Sequence, residues 1–255
     1  MKSDNRFRRL FGNTPIIGMI HLAGKTSSKK VKRALNEIKV FEQQGINGAL
    51  IENYHGDRED VVRTLEALRY RNNNLVLGVN ILPNEYQLSL PLTKKYGCRF
   101  VQLDYISGNY GRAELDFNAY DRVRQEHPGI VVLGGVWPKY YNPVPGSSLE
   151  EDLKQGMERA DAIVVTGSGT GMSTPLDKIK EFRRINGDFP LIVGAGLKPD
   201  NAYEQLMIAN GAIVGSGLKI GNCTNQPLDI NNINDLMRQV RKARRWKMLG
   251  RLIGC

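Results

Sequence analysis

Leu191-Ile192-Val193-Gly194-Ala195-Gly196 and Ala212-Ile213-Val214-Gly215-Ser216-Gly217 share one pattern, three apolar residues followed by Gly-x-Gly. A continuous apolar run is how a strand reads when both faces of a parallel sheet are covered. Glycines at its end allow a tight turn and bring backbone N–H groups close to an anion. Upstream, Ile163-Val164-Val165 precedes Thr166-Gly167-Ser168-Gly169-Thr170-Gly171, and Ile130-Val131-Val132-Leu133 is another apolar run. Eight such segments can be read: Ile16–Leu22, Gly48–Asn53, Leu75–Leu82, Phe100–Ile106, Ile130–Val136, Ala162–Thr166, Leu191–Gly194 and Ala212–Gly215. Their starts lie 21 to 32 residues apart, the length of a βα unit.

Helical patterns fill the intervals. Val31, Ala34, Leu35, Ile38 and Phe41 form one apolar stripe, and Val61, Val62, Leu65 and Leu68 form another behind the acids of Asp57–Asp60. Thr174-Pro175 opens a helix over Leu176–Ile185, Lys198-Pro199-Asp200 opens the next, and Gly45 and Gly97 stand where helices stop. Eight alternating units in 255 residues predict an α/β chain folded as a single (β/α)8 TIM barrel, rather than a doubly wound open sheet. The expected organisation is an N-terminal segment (1–14) packing on the barrel, the barrel itself (15–240), and a basic amphipathic C-terminal tail (241–255).

Composition narrows the function classes. Apolar residues make up 41% and charged residues 24%, which excludes a disordered chain. No apolar run approaches a membrane span, and the N-terminus has no apolar signal core. Three scattered cysteines (Cys98, Cys223, Cys255) fit a reducing compartment, so a cytoplasmic location is expected, with peripheral membrane contact as an alternative. The cysteines have no metal-ligand spacing with His21, His55 and His127. The net charge of +10 is concentrated at the ends: Arg238–Arg251 holds seven Lys or Arg and no acid, and Lys2, Arg6, Arg8 and Arg9 add to it. Such a tail could meet an anionic membrane or form a solvated helix face; terminal charge without regular aromatics argues against nucleic acid. Phe7, Leu10 and Phe11 could pack on the barrel bottom or on a second subunit of a homo-oligomer.

In a barrel the chemistry lies at the C-terminal ends of the strands. His21, Glu52, Asp104 and Lys139 fall there, the parts for proton transfer or imine chemistry. A core role for His21 and a solvated one for Lys139 remain open. Glu52, behind Ala49-Leu50-Ile51, requires a partner if buried. Binding candidates are Asn53, Asn80, Thr166, Gly167, Ser168, Thr170, Gly194, Gly196, Gly215, Ser216, Gly217 and Lys219. The glycines after strands 7 and 8 stand where barrels bind a substrate phosphate; the alternative is plain tight turns. No cofactor is called for, although Glu52 and Asp104 could share a divalent metal. Trp137-Pro138-Lys139-Tyr140-Tyr141 could stack on a base or sugar ring, or pack across the mouth.

Five motifs resemble the BtpA/SgcQ family: Ile16–Leu22, Ile51-Glu52-Asn53-Tyr54, Gly78–Leu82, Val165–Gly171 and Gly211–Lys219, in order between about residues 7 and 240. The family is similar to ribulose-phosphate-binding barrels, which implies the barrel fold and a small phosphorylated substrate. Its members carry several labels, among them photosystem I biogenesis factor, membrane-associated protein and predicted nucleoside triphosphatase. The resemblance therefore implies an enzyme on a phosphorylated sugar or nucleotide-type molecule, of isomerase, lyase or hydrolase type, with a non-catalytic membrane-associated assembly factor as the alternative. The chain departs from the family at Ala23–Ser28, at Gln102 and Asp104 where an Arg and an Asn are usual, and at Gly135-Val136-Trp137 in place of Asp-Val-His.

Overall fold

Alternation along each short strand organises the molecule. In a computed structural model describing residues 6–71, 74–111 and 115–253, the side chains of 251–253 excepted, eight strands close into a parallel barrel in sequence order. They are β1 (Ile16–Ile20), β2 (Gly48–Glu52), β3 (Val76–Asn80), β4 (Phe100–Leu103), β5 (Val131–Gly135), β6 (Ala162–Val165), β7 (Leu191–Val193) and β8 (Gly211–Val214). The single (β/α)8 architecture is therefore as the sequence predicts. Lys2 and Cys255 lie outside the described residues.

Successive side chains point to opposite faces of a strand. Ile17, Met19, Leu50, Phe100, Val131, Leu133, Ala162, Val164, Ile192 and Ile213 fill the barrel interior. Their neighbours, such as Ile16, Ile51, Val79, Val101, Ile163, Val193 and Val214, face the surrounding helices. Those helices are α2 (Ser27–Gln43), α3 (Arg58–Leu68), α4 (Tyr86–Lys95), α5 (Phe117–Glu126), α6 (Leu149–Arg159), α7 (Leu176–Asn186), α8 (Pro199–Ile208) and α9 (Ile230–Ile253), after a short α1 (Arg6–Phe11). Gly45 and Gly97 adopt φ of +71° and +69° behind α2 and α4, the left-handed conformation that ends a helix.

The strands are shorter than the β-rich segments. The fourth segment was expected to run to Ile106, but β4 stops at Leu103. Beyond it the chain folds inward, Ile106 N–H donates to the Gly135 carbonyl (2.9 Å), and the Ile106 side chain fills the space beside Gly134. Apolar character tracks burial, whether or not the backbone stays in the sheet.

α1 closes the bottom. Phe7 and Phe11 are buried, and Phe11 meets Phe100 inside the barrel edge-on (centroids 5.2 Å). Asp161 anchors this end by accepting from Arg6 Nε and Arg124 Nη2, both at 2.9 Å.

The division expected at residue 240 falls inside α9, which runs unbroken across it. Ile233, Leu236, Met237, Val240 and Ala243 are buried. Arg244 donates to the Thr14 carbonyl and Asn47 Oδ1, Lys247 to the Ala209 carbonyl, and Lys242 lies over the Tyr203 ring. Much of the terminal charge is thus engaged within the chain. Among the described residues no helix is long and apolar enough to cross a membrane.

α3, which leads away from the β2 end, starts at a reciprocal cap: Asp57 accepts from the Asp60 N–H (2.8 Å) and Asp60 accepts from the Asp57 N–H (3.2 Å). Asp57→Ala should cost about 1 kcal/mol, read as a Tm lowered by about 2–4 °C in a calorimetric scan.

Candidate functional site

Continuing the inward parity one step past the apolar interior gives the floor of the mouth. Met19 leads to His21, Leu50 to Glu52, Phe100 to Gln102 and on to Asp104, Leu133 to Gly135, Val164 to Thr166, Ile192 to Gly194, and Ile213 to Gly215. The mouth is consequently two-sided. Long polar side chains occupy the half over β1–β4, and β5, β7 and β8 contribute glycines to the other half. A cavity of about 290 Å³ results. A side chain at Gly194 would overlap Val164, and one at Gly215 would stand 2.7 Å from the His21 ring, so glycine keeps this half open.

The polar half is a continuous hydrogen-bonded row. Asn80 lies opposite Glu52 in the β2–β3 register and donates from Nδ2 to Glu52 Oε2 (2.8 Å) and Gln102 Oε1 (2.9 Å). Gln102 Nε2 in turn faces Asp104 Oδ1 at 3.5 Å. Burial, then the neighbouring Asp104 charge, pushes the Glu52 carboxyl up to about 7. Burial also raises Asp104, against the pull of Lys139. The row is therefore two coupled carboxyls sharing one cation. One of them exchanges its proton near neutrality, where general acid–base groups are most effective.

His21 is 4% exposed, and its Nδ1 has no hydrogen-bond partner among the described residues. Burial, then the charges of Lys219, His55, Lys139 and Arg33, holds it well below the usual imidazole range. It is a neutral ring surrounded by cations.

Lys139 is held by the loop after β6. Its N–H donates to Thr166 Oγ1 (2.7 Å) and its Nζ to Thr170 Oγ1 (3.0 Å). Thr170 N–H donates to the Tyr140 hydroxyl (2.8 Å), so the loops after β5 and β6 clasp each other above the cavity. Trp137 and Tyr140 adopt φ of +46° and +70°, strained values that the clasp maintains. Lys178 of α7 ties the same two loops from behind, donating to the Trp137 (3.1 Å) and Thr166 (2.9 Å) carbonyls.

On the glycine side, Ser216–Leu218 forms a single 3₁₀ turn after β8. Ala195, Gly196 and Ser216 bring backbone N–H groups to this wall. These donors line the cavity opposite the carboxylates. Gly196, at φ +64°, packs directly under the Met172 carbonyl, where a Cβ would overlap.

Of the residues expected at the site, His21, Glu52, Asp104, Lys139, Thr166, Thr170, Gly194, Gly196, Gly215 and Ser216 converge on this one cavity. Asn80 stands behind it as the support of Glu52. Asn53 joins two loops, accepting from Leu82 N–H (2.8 Å). Gly167 and Ser168 belong to the β6 loop without lining the cavity. Gly217 lies against the Leu197 carbonyl, where any Cβ would overlap. Lys219 points the other way, 1% exposed, with its Nζ 2.8 Å from Glu37 Oε1 of α2. Among the described residues no three His, Cys, Asp or Glu side chains are grouped to hold a metal, so Glu52 and Asp104 have no third ligand of these types. Sequence reading missed Gln102, Tyr54, Leu82 and Pro83 as cavity residues; strand parity from Phe100 would have found Gln102, while the others stand on loops whose course only packing decides.

The fold and the site together define a (β/α)8 barrel with a two-sided polar cavity at the C-terminal mouth. The sequence signature of the BtpA family matches residues 12–242, and the chain belongs to that family. It is 25% identical over 248 residues (88% of this chain, 86% of the relative) to the photosystem I biogenesis protein BtpA of Synechocystis. It is 27% identical over 253 residues (89% and 95%) to an uncharacterized protein of Pyrococcus furiosus. Among solved structures, phosphoribosyl anthranilate isomerase from Thermus thermophilus superposes with TM-score 0.61 at 15% identity, covering 91% of this chain and all of that one. At that identity the likeness is one of fold.

Proposed function

We propose that this protein is an enzyme acting on a small phosphorylated molecule of the sugar or nucleotide type, by proton-transfer chemistry of the isomerase, lyase or hydrolase kind. The observation that carries the proposal is the two-sided cavity: glycine-rich backbone at Gly194–Gly196 and Gly215-Ser216 on one wall, two carboxyls with an ammonium on the other. Convergent backbone N–H groups suit a phosphate, whose several oxygens accept without requiring side-chain charge. Glu52 would exchange a proton at the carbon or oxygen presented to it, with Lys139 stabilising the negative charge that develops and Asn80 holding the carboxyl in place. The solved likenesses support the phosphate side, since one is a phosphoribosyl anthranilate isomerase in complex with a 1-deoxyribulose 5-phosphate derivative, at TM-score 0.57 and 14% identity.

A thermal-shift titration with inorganic phosphate and ribose 5-phosphate tests the anion wall. A ligand present at about 100 Kd that binds only the folded chain adds about 2.7 kcal/mol, a readily measured rise in midpoint. Ser216→Asp, which places a carboxylate where the phosphate would sit, should remove the shift. Absence of any shift with the wild-type chain would sink the proposal. A second reading, an assembly factor without catalysis, draws support from the relationship to the Synechocystis biogenesis protein.

A further inference from the structure

The cavity has a third surface that neither phosphate binding nor proton transfer uses. Above the Glu52–Asp104 row, the rim is built from Tyr54, Leu82, Pro83, Pro138, Tyr140 and Tyr141. A bare sugar phosphate presents hydroxyls at that position, and hydroxyls call for polar partners. Here the wall they would meet is apolar and aromatic. Tyr141 is also held in advance. Its ring packs against Tyr105 (centroids 5.1 Å) and Tyr110 (5.8 Å), which themselves meet at 5.6 Å. Tyr110 is anchored in turn, its hydroxyl donating to the Ser107 carbonyl (2.9 Å) and accepting from Trp137 N–H (3.0 Å). Of the three rings only Tyr141 reaches the cavity. A ring braced from behind, with few rotamers left to lose, is a preorganised stacking platform.

We infer that the substrate carries a planar aromatic or heteroaromatic ring on its phosphorylated sugar, and that Tyr141 is the residue that selects for it. The inference rests on the phosphate reading above and adds the third part of the ligand: phosphate at Ala195–Gly196 and Ser216, the reacting sugar centre over Glu52 and Asp104, the ring against Tyr141 and the Leu82-Pro83 edge. The apolar rim lies on the side of β2–β5 and the phosphate wall at β7–β8, so the ligand spans the mouth with its reacting bond over the carboxyls.

The test compares calorimetric affinities for ribose 5-phosphate with those for AMP, GMP, CMP and UMP. Base stacking on an aromatic side chain should make at least one nucleotide bind on the order of ten- to a hundredfold more tightly than ribose 5-phosphate. Tyr141→Ala should bring that ratio close to one, and Tyr141→Phe should keep it. Should Tyr141→Ala not fold, Tyr141→Leu, which retains bulk against Tyr105 but offers no ring face, carries the same expectation. Equal affinity for ribose 5-phosphate and all four nucleotides would overturn the inference while leaving the phosphate reading intact, as would a ratio that survives in Tyr141→Ala. Failure of ribose 5-phosphate, inorganic phosphate and every nucleotide to bind would overturn both.

Discussion

Glu52→Gln is expected to lower kcat by about two to four orders of magnitude with little change in ligand affinity, the range for loss of a positioned general acid or base. Glutamine keeps the shape and can still accept from Asn80 Nδ2, so the row of side chains should survive. The wild-type rate should rise with pH through about 7 as Glu52 ionises to act as base, and the variant should lose that limb. Stability should move the other way. Between the ordinary carboxyl range and about 7 the folded chain holds a proton on Glu52 that the unfolded chain has released. Stability from this group is therefore greatest at low pH and falls as pH rises through that window. The gap from 4.5 to about 7 corresponds to about 3 kcal/mol. Thermal melts at pH 5 and pH 8 should thus show Glu52→Gln equal to wild type at the lower pH and more stable at the higher. A variant with undiminished turnover, or one with no gain at pH 8, would refute the role assigned to this carboxyl.

The second large effect is expected away from the cavity, at the Lys219–Glu37 pair. Both groups are nearly inaccessible, and Glu37 Oε1 also accepts from Arg33 Nε at 2.8 Å. The two partners are therefore not equivalent. Lys219→Met leaves Glu37 with Arg33 and should cost about 1–3 kcal/mol. Glu37→Leu leaves a buried ammonium with no counter-charge and should cost about 3–5 kcal/mol. The double variant should recover part of that loss. Denaturant unfolding of the three variants measures this order directly. A Lys219→Met chain that unfolds like wild type but no longer responds to phosphate would return Lys219 to the binding site.

Lys219 shows where sequence reading ends. A lysine two residues beyond Gly-Ser-Gly, at the end of β8, reads as a phosphate ligand, and its neighbours Gly215 and Ser216 do line the cavity. The side chain, however, follows the turn of the 3₁₀ segment away from the mouth and into α2. Nothing in the local sequence encodes that rotation, because its cause is Glu37, 182 positions away. Gly217 is similar: the glycine is required by the approach of the Leu197 carbonyl from the neighbouring loop.

The sequence by itself determined the eight strands, the helices between them, the barrel, and which strand ends would carry acids and which glycines. These are period-two and period-3.6 patterns, and burial on one face enforces them locally. The terminal basic residues were legible as charge, while their partners (Thr14, Asn47, Ala209) were not, since the contacts close over long sequence separations. Only the tertiary structure decided that Asn80 and Gln102 join Glu52 to Asp104, that Thr170 reaches across to Lys139, and that two tyrosines of the β4 loop brace Tyr141 of the next loop at the cavity. Each of these depends on distances between elements, which are set by how side chains pack in three dimensions rather than by the residues nearest along the chain.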